Sequence, residues 1–380
     1  MRRIVIEDND EKILLEELNK RSDVKAERIK RMLALPDLTK KENSPVKIVN
    51  DKILNLPVWA DFDVVEIPKI VSASDEFDSL NFPAGHPTRK ETDTFFLDGD
   101  NYHLRTQMTI MWPYYFRDEE VLERLKKDGG VGSLSPGIVW RKDEIDRSHY
   151  PAFHQTDFLY VCRKDKRIIT LKDLQDIQAD AIKAIFGDIE FRFLVDSFPF
   201  TDPSTQAEIN WNGNWIEITG AGLVHSNCLK NFGLDPEVYN GYAGTFGLDR
   251  LAMIKMEIPD IRILWSADER ITSQFKDINS KFKEVSKFPA TIRDISFIIN
   301  KDVSLNNYYE IVRDHANNLI EEVKLLDEYE NEEKFGKNKK SYTFRIVYCS
   351  SERTLTNEEI NKIQTIIRTK TKKELGALLR

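Results

Sequence analysis

Only three cysteines, Cys162, Cys228 and Cys349, occur in the 380 residues, and no two are close in sequence. Their spacing offers neither a disulfide framework nor a zinc-ligand pattern, so a reducing compartment and no zinc site are expected. No run of about 18 apolar residues exists, which excludes a membrane-spanning helix, and no membrane partner is expected. An overall basic field is missing too: 56 Lys and Arg stand against 64 Asp and Glu, a formal net charge of -8. Any nucleic-acid contact must therefore use a local patch. The opening stretch, MRRIVIEDNDEKILLEEL, lacks an apolar core and is rich in acids, unlike a signal peptide or a typical transit peptide. A cytoplasmic location is expected on that ground, with a mitochondrial or other organellar one left open.

What is present describes a globular protein, with 41% hydrophobic and 32% charged residues. A chain this long makes two domains or so, each able to bury a core. The stretch WRKDEIDRSHYPAFHQTD, residues 140–157, concentrates Arg141, Asp143, Arg147, His149, His154, Gln155 and Asp157 between two apolar runs. The runs read as strands of an antiparallel hairpin and the polar block as its connection. An Arg fork there would match phosphate oxygens, and a solvated loop would carry the same charges equally well.

Along the chain, residues 11–35 have a loose helical spacing that ends at Pro36, and residues 36–45 read as a linker. Residues 62–65 read as a strand. Pro83, Gly85 and Pro87 make a stiff loop that leads to a strand at 94–97. Residues 117–127 look helical, 129–136 look like a loop, and 171–186 form a helix stopped by Gly187. Strand-like alternation then runs from 191 to 225 and sets Glu208 and Glu217 at similar phases. Two carboxylates facing one site are costly unless a cation sits between them. Gly241, Gly244 and Gly247 form a glycine-rich turn into a helix that begins near Leu248. Arg250 falls in its first turn, against the helix dipole. A ligand phosphate would explain that placement, and so would an ion pair with Asp249 or Glu257.

From residue 284 the order becomes strand (292–299), helix (306–322), strand (323–329), charged turn, strand (342–348) and helix (357–379), with room for a short last strand. This suggests a split βαβ sandwich. Its final helix carries Lys362, Arg368, Lys370, Lys372 and Lys373, and the turn adds Lys337, Lys339 and Lys340, a candidate phosphate-backbone patch. The domains expected are a helical arm and linker (1–45), a central domain (46–283) and the C-terminal sandwich (284–380).

FDSLNFPAGHP, LRT at 104–106, WRKDEIDRSHYPAFHQ, FPFTDP, GAGLVH and GLDRLAM with IPDIR together resemble phenylalanyl-tRNA synthetase in its single-chain, mitochondrial-type form. KFPATIRDISF, LLDEY and ERTLT resemble the ferredoxin-fold anticodon-binding domain that ends that form. The resemblance implies an α+β protein: a class II synthetase antiparallel sheet flanked by helices, followed by a ferredoxin-like domain. It implies phenylalanine, ATP, Mg2+ and tRNA(Phe) as ligands and a monomer, with a homodimer left open. Arg141 matches the arginine that holds the α-phosphate, and Arg250 the one at the far end of the triphosphate. Asp143, Glu208 and Glu217 fall with the ATP site, with Mg2+ on the two glutamates and more so on Glu217. Phe198 and Phe200 match the rings that stack on the substrate ring, and Ala243 the small residue at the pocket floor. Gln155 matches the residue that holds the α-amino group. Gln107, Thr109 and Asp157 fall among the amino-acid contacts, and Lys362, Arg368 and Lys372 among those to tRNA. Gln107, Thr109 and Gly244 depart from the family's usual residues. They leave room for a paralogue with another amino acid or a non-tRNA acceptor, or for a silent RNA-binding paralogue.

Overall fold

Strands carry the architecture of this protein, whose computed structural model describes residues 1–380 except positions 98, 100, 285–287 and 351. Lys287, which opens the KFPATIRDISF segment, therefore lies outside the described residues. In chain order the strands are β1 (Arg3–Val5), β2 (Asp63–Glu66), β3 (Ile70–Ser72), β4 (Tyr102–Leu104), β5 (Gly130–Trp140) and β6 (Ala152–Arg163). There follow β7 (Phe191–Phe198), β8 (Thr201–Trp211), β9 (Asn214–Val224), β10 (Tyr239–Gly247), β11 (Thr291–Asn300), β12 (Ile320–Tyr329), β13 (Lys339–Tyr348) and β14 (Leu378–Leu379). The chain forms two compact units: Met1–Arg141, Ala152–Ile258 and Thr272–Phe282 make the first, and Lys142–Pro151, Pro259–Ile271 and Lys283–Arg380 the second.

The first unit is built on an eight-stranded sheet in the order β1-β2-β5-β6-β10-β9-β8-β7. Six of these strands, from β5 to β7, pair antiparallel, while β1, β2 and β5 pair parallel at one edge. Two segments expected to be loop or turn are strands of this sheet. Residues 130–136 fall in β5 and residues 241–247 in β10, while Gly129 ends the preceding helix at φ 83°. Their glycines answer to packing, not to turning: a Cβ at Gly132 would lie 2.5 Å from the Phe62 ring, and one at Gly241 would lie 2.4 Å from the Tyr160 carbonyl oxygen. Pro136 is tolerated because β2 pairs with β5 only at Ser133 and Leu134, so no ladder bond is asked of its missing N–H. The strand expected at 94–97 is reduced to one bridge between Phe96 and His103.

The first 45 residues pack as part of this unit. The helices Asn9–Lys20 and Val24–Leu33 are capped by the Asp8 and Asp23 side chains. Glu11 accepts the amides of Lys69 (2.6 Å) and Ile70 (3.0 Å), and the Met32 carbonyl accepts the Trp140 indole N–H (3.0 Å). Strand β1 and the helix Pro45–Leu54 are additions to the elements expected from sequence.

In the second unit the sheet order is β12-β13-β11-β14, with the helices Asn306–Ala316 and Asn357–Glu374 completing a split βαβ order. Phe297, Tyr308, Phe344, Ile346, Ile360 and Ile367 fill its core, and Ile145 from the 142–151 segment joins them. The Ile145 carbonyl accepts the Val323 amide at 2.8 Å. The helix expected to reach Glu322 stops at Ala316, because Ile320 already pairs with Tyr348 in the sheet. The last helix ends at Glu374 and gives way to β14, the short last strand.

Candidate active site

Residues paired directly across a sheet point to the same face. On one face of the first unit this register lines up Gln155 with Gly247, Asp157 with Thr245, and Leu159 with Ala243 across β6 and β10. It continues through Gly222 and Gly220 on β9 to Ser204 and Gln206 on β8. Beyond the irregularity at Ala207/Glu208 it sets Arg192, Glu208 and Glu217 in a row over β7, β8 and β9. The sheet thus brings together residues more than eighty positions apart, such as Gln155 and Gly247. Gly244 alternates to the opposite face, where a Cβ would meet the Ala221 Cβ and the Phe158 ring at 2.6 Å. Its departure from the family residue lies behind the candidate pocket, not in it.

Phe198 and Phe200 are half-buried and parallel, with ring centroids 5.8 Å apart and planes at 8°. Phe198 lies over Gly220, where a Cβ would come within 2.6 Å of its ring. Gly222 is equally closed to a side chain, since a Cβ there would reach the Pro203 carbonyl at 2.8 Å. Phe200 stands edge-on to Trp112 at 5.6 Å and touches Phe82 at 5.9 Å. The turn between the rings is held by other motifs: the Asn81 side chain donates to the Pro199 carbonyl (2.8 Å), and the His225 amide to the Phe200 carbonyl (2.9 Å). FDSLN, FPF and GAGLVH therefore build one wall.

Behind the wall the polar residues are fixed. Gln155 accepts the Met108 amide on its side-chain carbonyl at 3.0 Å, and that oxygen keeps a second lone pair. Asp157 is buried and takes three donors: the Trp112 indole N–H (2.7 Å), the Thr109 hydroxyl (2.8 Å) and the Thr245 hydroxyl (2.6 Å). Burial pushes its carboxyl up to about 7, against the downward pull of those donors. Gln107 is buried, with its amide nitrogen unpartnered among the described residues.

Arg141 directly follows β5, and Arg250 is the third residue of the helix Leu248–Lys255 that follows β10. Both strands end toward the start of β6, at Ala152 and Gln155 respectively, two strand spacings apart, or roughly 10 Å across the sheet. Arg141 donates Nε to the Thr106 carbonyl at 2.8 Å and sits over the Phe153 ring at 5.1 Å. Arg250 is exposed, and neither proposed ion pair forms. Asp249 accepts the His154 amide (2.5 Å) and faces its Nδ1 (3.2 Å), while Glu257 pairs with Lys281 at 2.8 Å. The Leu38 amide donates to His154 Nε2 at 3.0 Å, so His154 carries its proton on Nδ1.

Glu208 and Glu217 face each other across β8 and β9. Glu208 is held by Arg192, at 2.8 Å to Nε and 2.7 Å to a terminal nitrogen, whereas Glu217 is exposed with no ion pair among the described residues. At Glu217 the sheet is open to solvent. Among the described residues no group of three or more His, Cys, Asp or Glu could hold a metal ion. Asp143 belongs to the second unit, where its backbone carbonyl accepts from Arg313. Lys362 and Lys372 are exposed on the helix Asn357–Glu374, and Arg368 donates to the Arg380 carbonyl at 3.3 Å. Lys340 of the charged turn is tied to Glu328 and Glu330.

Trp112, Thr245, Gly220 and Arg192 were passed over in sequence. Thr245 could have been found, since it lies two residues past Ala243 on the same strand. Trp112 and Arg192 have no such signal, because only folding carries them to the sheet face.

Two family models match the chain, one over each end of its length. Residues 29–275 match the family described as tRNA synthetases class II core domain (F), and residues 286–380 match the ferredoxin-fold anticodon binding domain. The chain is a class II aminoacyl-tRNA synthetase. It is 37% identical over 325 residues to the chloroplastic/mitochondrial phenylalanine–tRNA ligase of Arabidopsis thaliana, covering 83% of this chain and 72% of the relative. The mitochondrial phenylalanine–tRNA ligase of Saccharomyces cerevisiae is 30% identical over 425 residues, 90% of this chain and 88% of the relative. The phenylalanine–tRNA ligase alpha subunit of Nostoc punctiforme is 37% identical, but over only 61% of this chain. The chain belongs to the phenylalanine–tRNA ligase family. The expected cytoplasmic location finds no support in the first two relatives, which are named for organelles.

Proposed function

We propose that this chain joins phenylalanine to the 3′ end of tRNA(Phe) through an aminoacyl-adenylate, with ATP and Mg2+. One observation carries the assignment: two parallel, half-buried phenylalanine rings stand over a glycine floor, on the sheet face that also presents Gln155 and Ala243. A third aromatic ring slides beside such a pair, and offset stacking is worth about 0.5–1.5 kcal/mol per pair. Gln155 then offers its free lone pair to the α-ammonium group. Thr109 and Asp157 act one layer down, since their side chains are bonded to each other, while Gln107 has an amide nitrogen to give.

The substrate carboxylate attacks the α-phosphorus; its new O–P bond forms as the bond to the β-phosphate oxygen breaks, releasing pyrophosphate. Arg141 holds the α-phosphate and Arg250 the far end of the triphosphate, neutralising charge that grows in the transition state. The exposure of Arg250 and the absence of an ion pair on it among the described residues support this reading. The facing carboxylates Glu208 and Glu217 fit a divalent cation, which relieves their repulsion, and Glu217 is the one left uncommitted by Arg192. Bound there, Mg2+ would neutralise phosphate charge. A terminal ribose hydroxyl of tRNA next takes the acyl group and AMP leaves. Lys362, Arg368 and Lys372 supply backbone contacts to the RNA, and the protein acts as a monomer in an organelle.

Pyrophosphate exchange run over the twenty amino acids tests the assignment. A signal with phenylalanine alone is expected. Exchange with another amino acid would show a paralogue of altered specificity, and silence with all twenty a non-catalytic RNA-binding protein.

A further inference from the structure

One buried carboxylate in the first unit has no part in the chemistry above. Glu76, in the helical turn Ser74–Asp78, is fully buried, and its two oxygens take the Thr106 amide at 3.1 and 3.2 Å together with the Thr106 hydroxyl. The carbonyl of the same Thr106 accepts the Arg141 Nε at 2.8 Å. A carboxylate, one residue and a guanidinium thus form a continuous chain of hydrogen bonds.

The groups around Glu76 leave Arg141 as the partner this chain serves. His103 Nδ1 lies 3.7 Å away, but burial lowers this ring to about 4, so it is neutral at pH 7. Arg105 is also buried and already committed: its Nε donates to the Ile138 carbonyl (2.9 Å), and one terminal nitrogen to the carbonyls of Ile67 (2.7 Å) and Pro68 (3.0 Å). A buried carboxylate is costly unless its charge is answered, and an amide could hold Thr106 without that penalty. Burial pushes the Glu76 carboxyl up to about 7, while the Thr106 donors and the charges of Arg141 and Arg105 pull the other way.

We infer that Glu76 is a positioning residue for Arg141: through Thr106 it fixes the guanidinium in its α-phosphate-binding orientation before nucleotide arrives. This rests on the proposed role of Arg141 toward ATP. Preorganisation of this kind lowers the loss of side-chain freedom on binding, so its removal acts on ATP before it acts on the amino acid.

The test measures pyrophosphate exchange with the full chain, varying ATP at saturating phenylalanine and then the reverse. Glu76→Ala is expected to raise the KM for ATP about tenfold and Glu76→Gln about threefold, with the phenylalanine KM within about twofold of the parent. Glu76→Gln keeps size and an acceptor oxygen, so it carries the test if Glu76→Ala fails to give a cooperative thermal transition. An unchanged ATP KM in Glu76→Gln, or ATP and phenylalanine KM values that rise together, overturns the inference. Arg141→Lys is measured beside them. If it raises the ATP KM while Glu76→Gln does not, only the positioning role falls; if it leaves the ATP KM unchanged, the reading of Arg141 falls and this inference with it.

Discussion

Asp157 presents opposing forces at a single side chain. Three donors favour its charged form, yet burial outweighs them and lifts the carboxyl to about 7. In the unfolded chain the same group titrates near ~3.9. A raised folded value means that the folded state holds the proton more tightly. The resulting stability is fully present below ~pH 4 and is lost as pH rises through about 7. Asp157→Asn removes the titration and keeps a group that the Thr109 and Thr245 hydroxyls can turn to meet. Between pH 5 and pH 8 the parent should lose on the order of 2–3 kcal/mol relative to this variant in urea unfolding. An equal difference at the two pH values would show that the three donors, not burial, set the proton affinity.

At the scale of the strand, β9 and β10 separate pocket from support by alternation alone. Gly220 and Gly244 both lack room for a methyl group, but on opposite faces of the sheet. Gly220→Ala drives a Cβ into the Phe198 ring, a contact that one side chain can relieve by moving. The expected result is a drop of about tenfold in kcat/KM for phenylalanine with little change in melting temperature. Gly244→Ala meets Phe158 and Ala221, which are themselves buried. It should destabilise the fold by about 1–3 kcal/mol and leave the phenylalanine KM of the folded fraction unchanged. Thermal unfolding and steady-state exchange on both variants decide this; the reverse pattern would assign the faces the other way round.

For the whole molecule, the chain is cut into units differently from its order in sequence. The second unit takes residues 142–151 and 259–271 from the middle of the chain and buries Ile145 in its own core. A truncation near Phe282 would strip these segments of their partners, so point changes separate the two activities more cleanly. Lys362→Glu combined with Lys372→Glu, both at exposed positions, should raise the KM for tRNA and flatten its dependence on salt by roughly two counterions. Phenylalanine-dependent pyrophosphate exchange should not change. An unaltered salt slope in aminoacylation would place the RNA backbone elsewhere.

The amino-acid sequence by itself determined the order of the main strands and helices in the last hundred residues, because each apolar stripe there has the period of its own element, but not where the two long helices end. It also carried the family motifs, with Arg141, Gln155, Phe198, Phe200 and Arg250 named before any fold was known. Glycine misled it at residues 130–136 and 241–247, since a missing side chain serves close packing in a strand as well as it serves a turn. Only the tertiary structure decided which face each residue joined. It set Gly244 behind the sheet, tied Glu208 to Arg192 and withdrew Asp249 from Arg250. Those outcomes depend on strand register and on partners far along the chain, and no local pattern of residues encodes either.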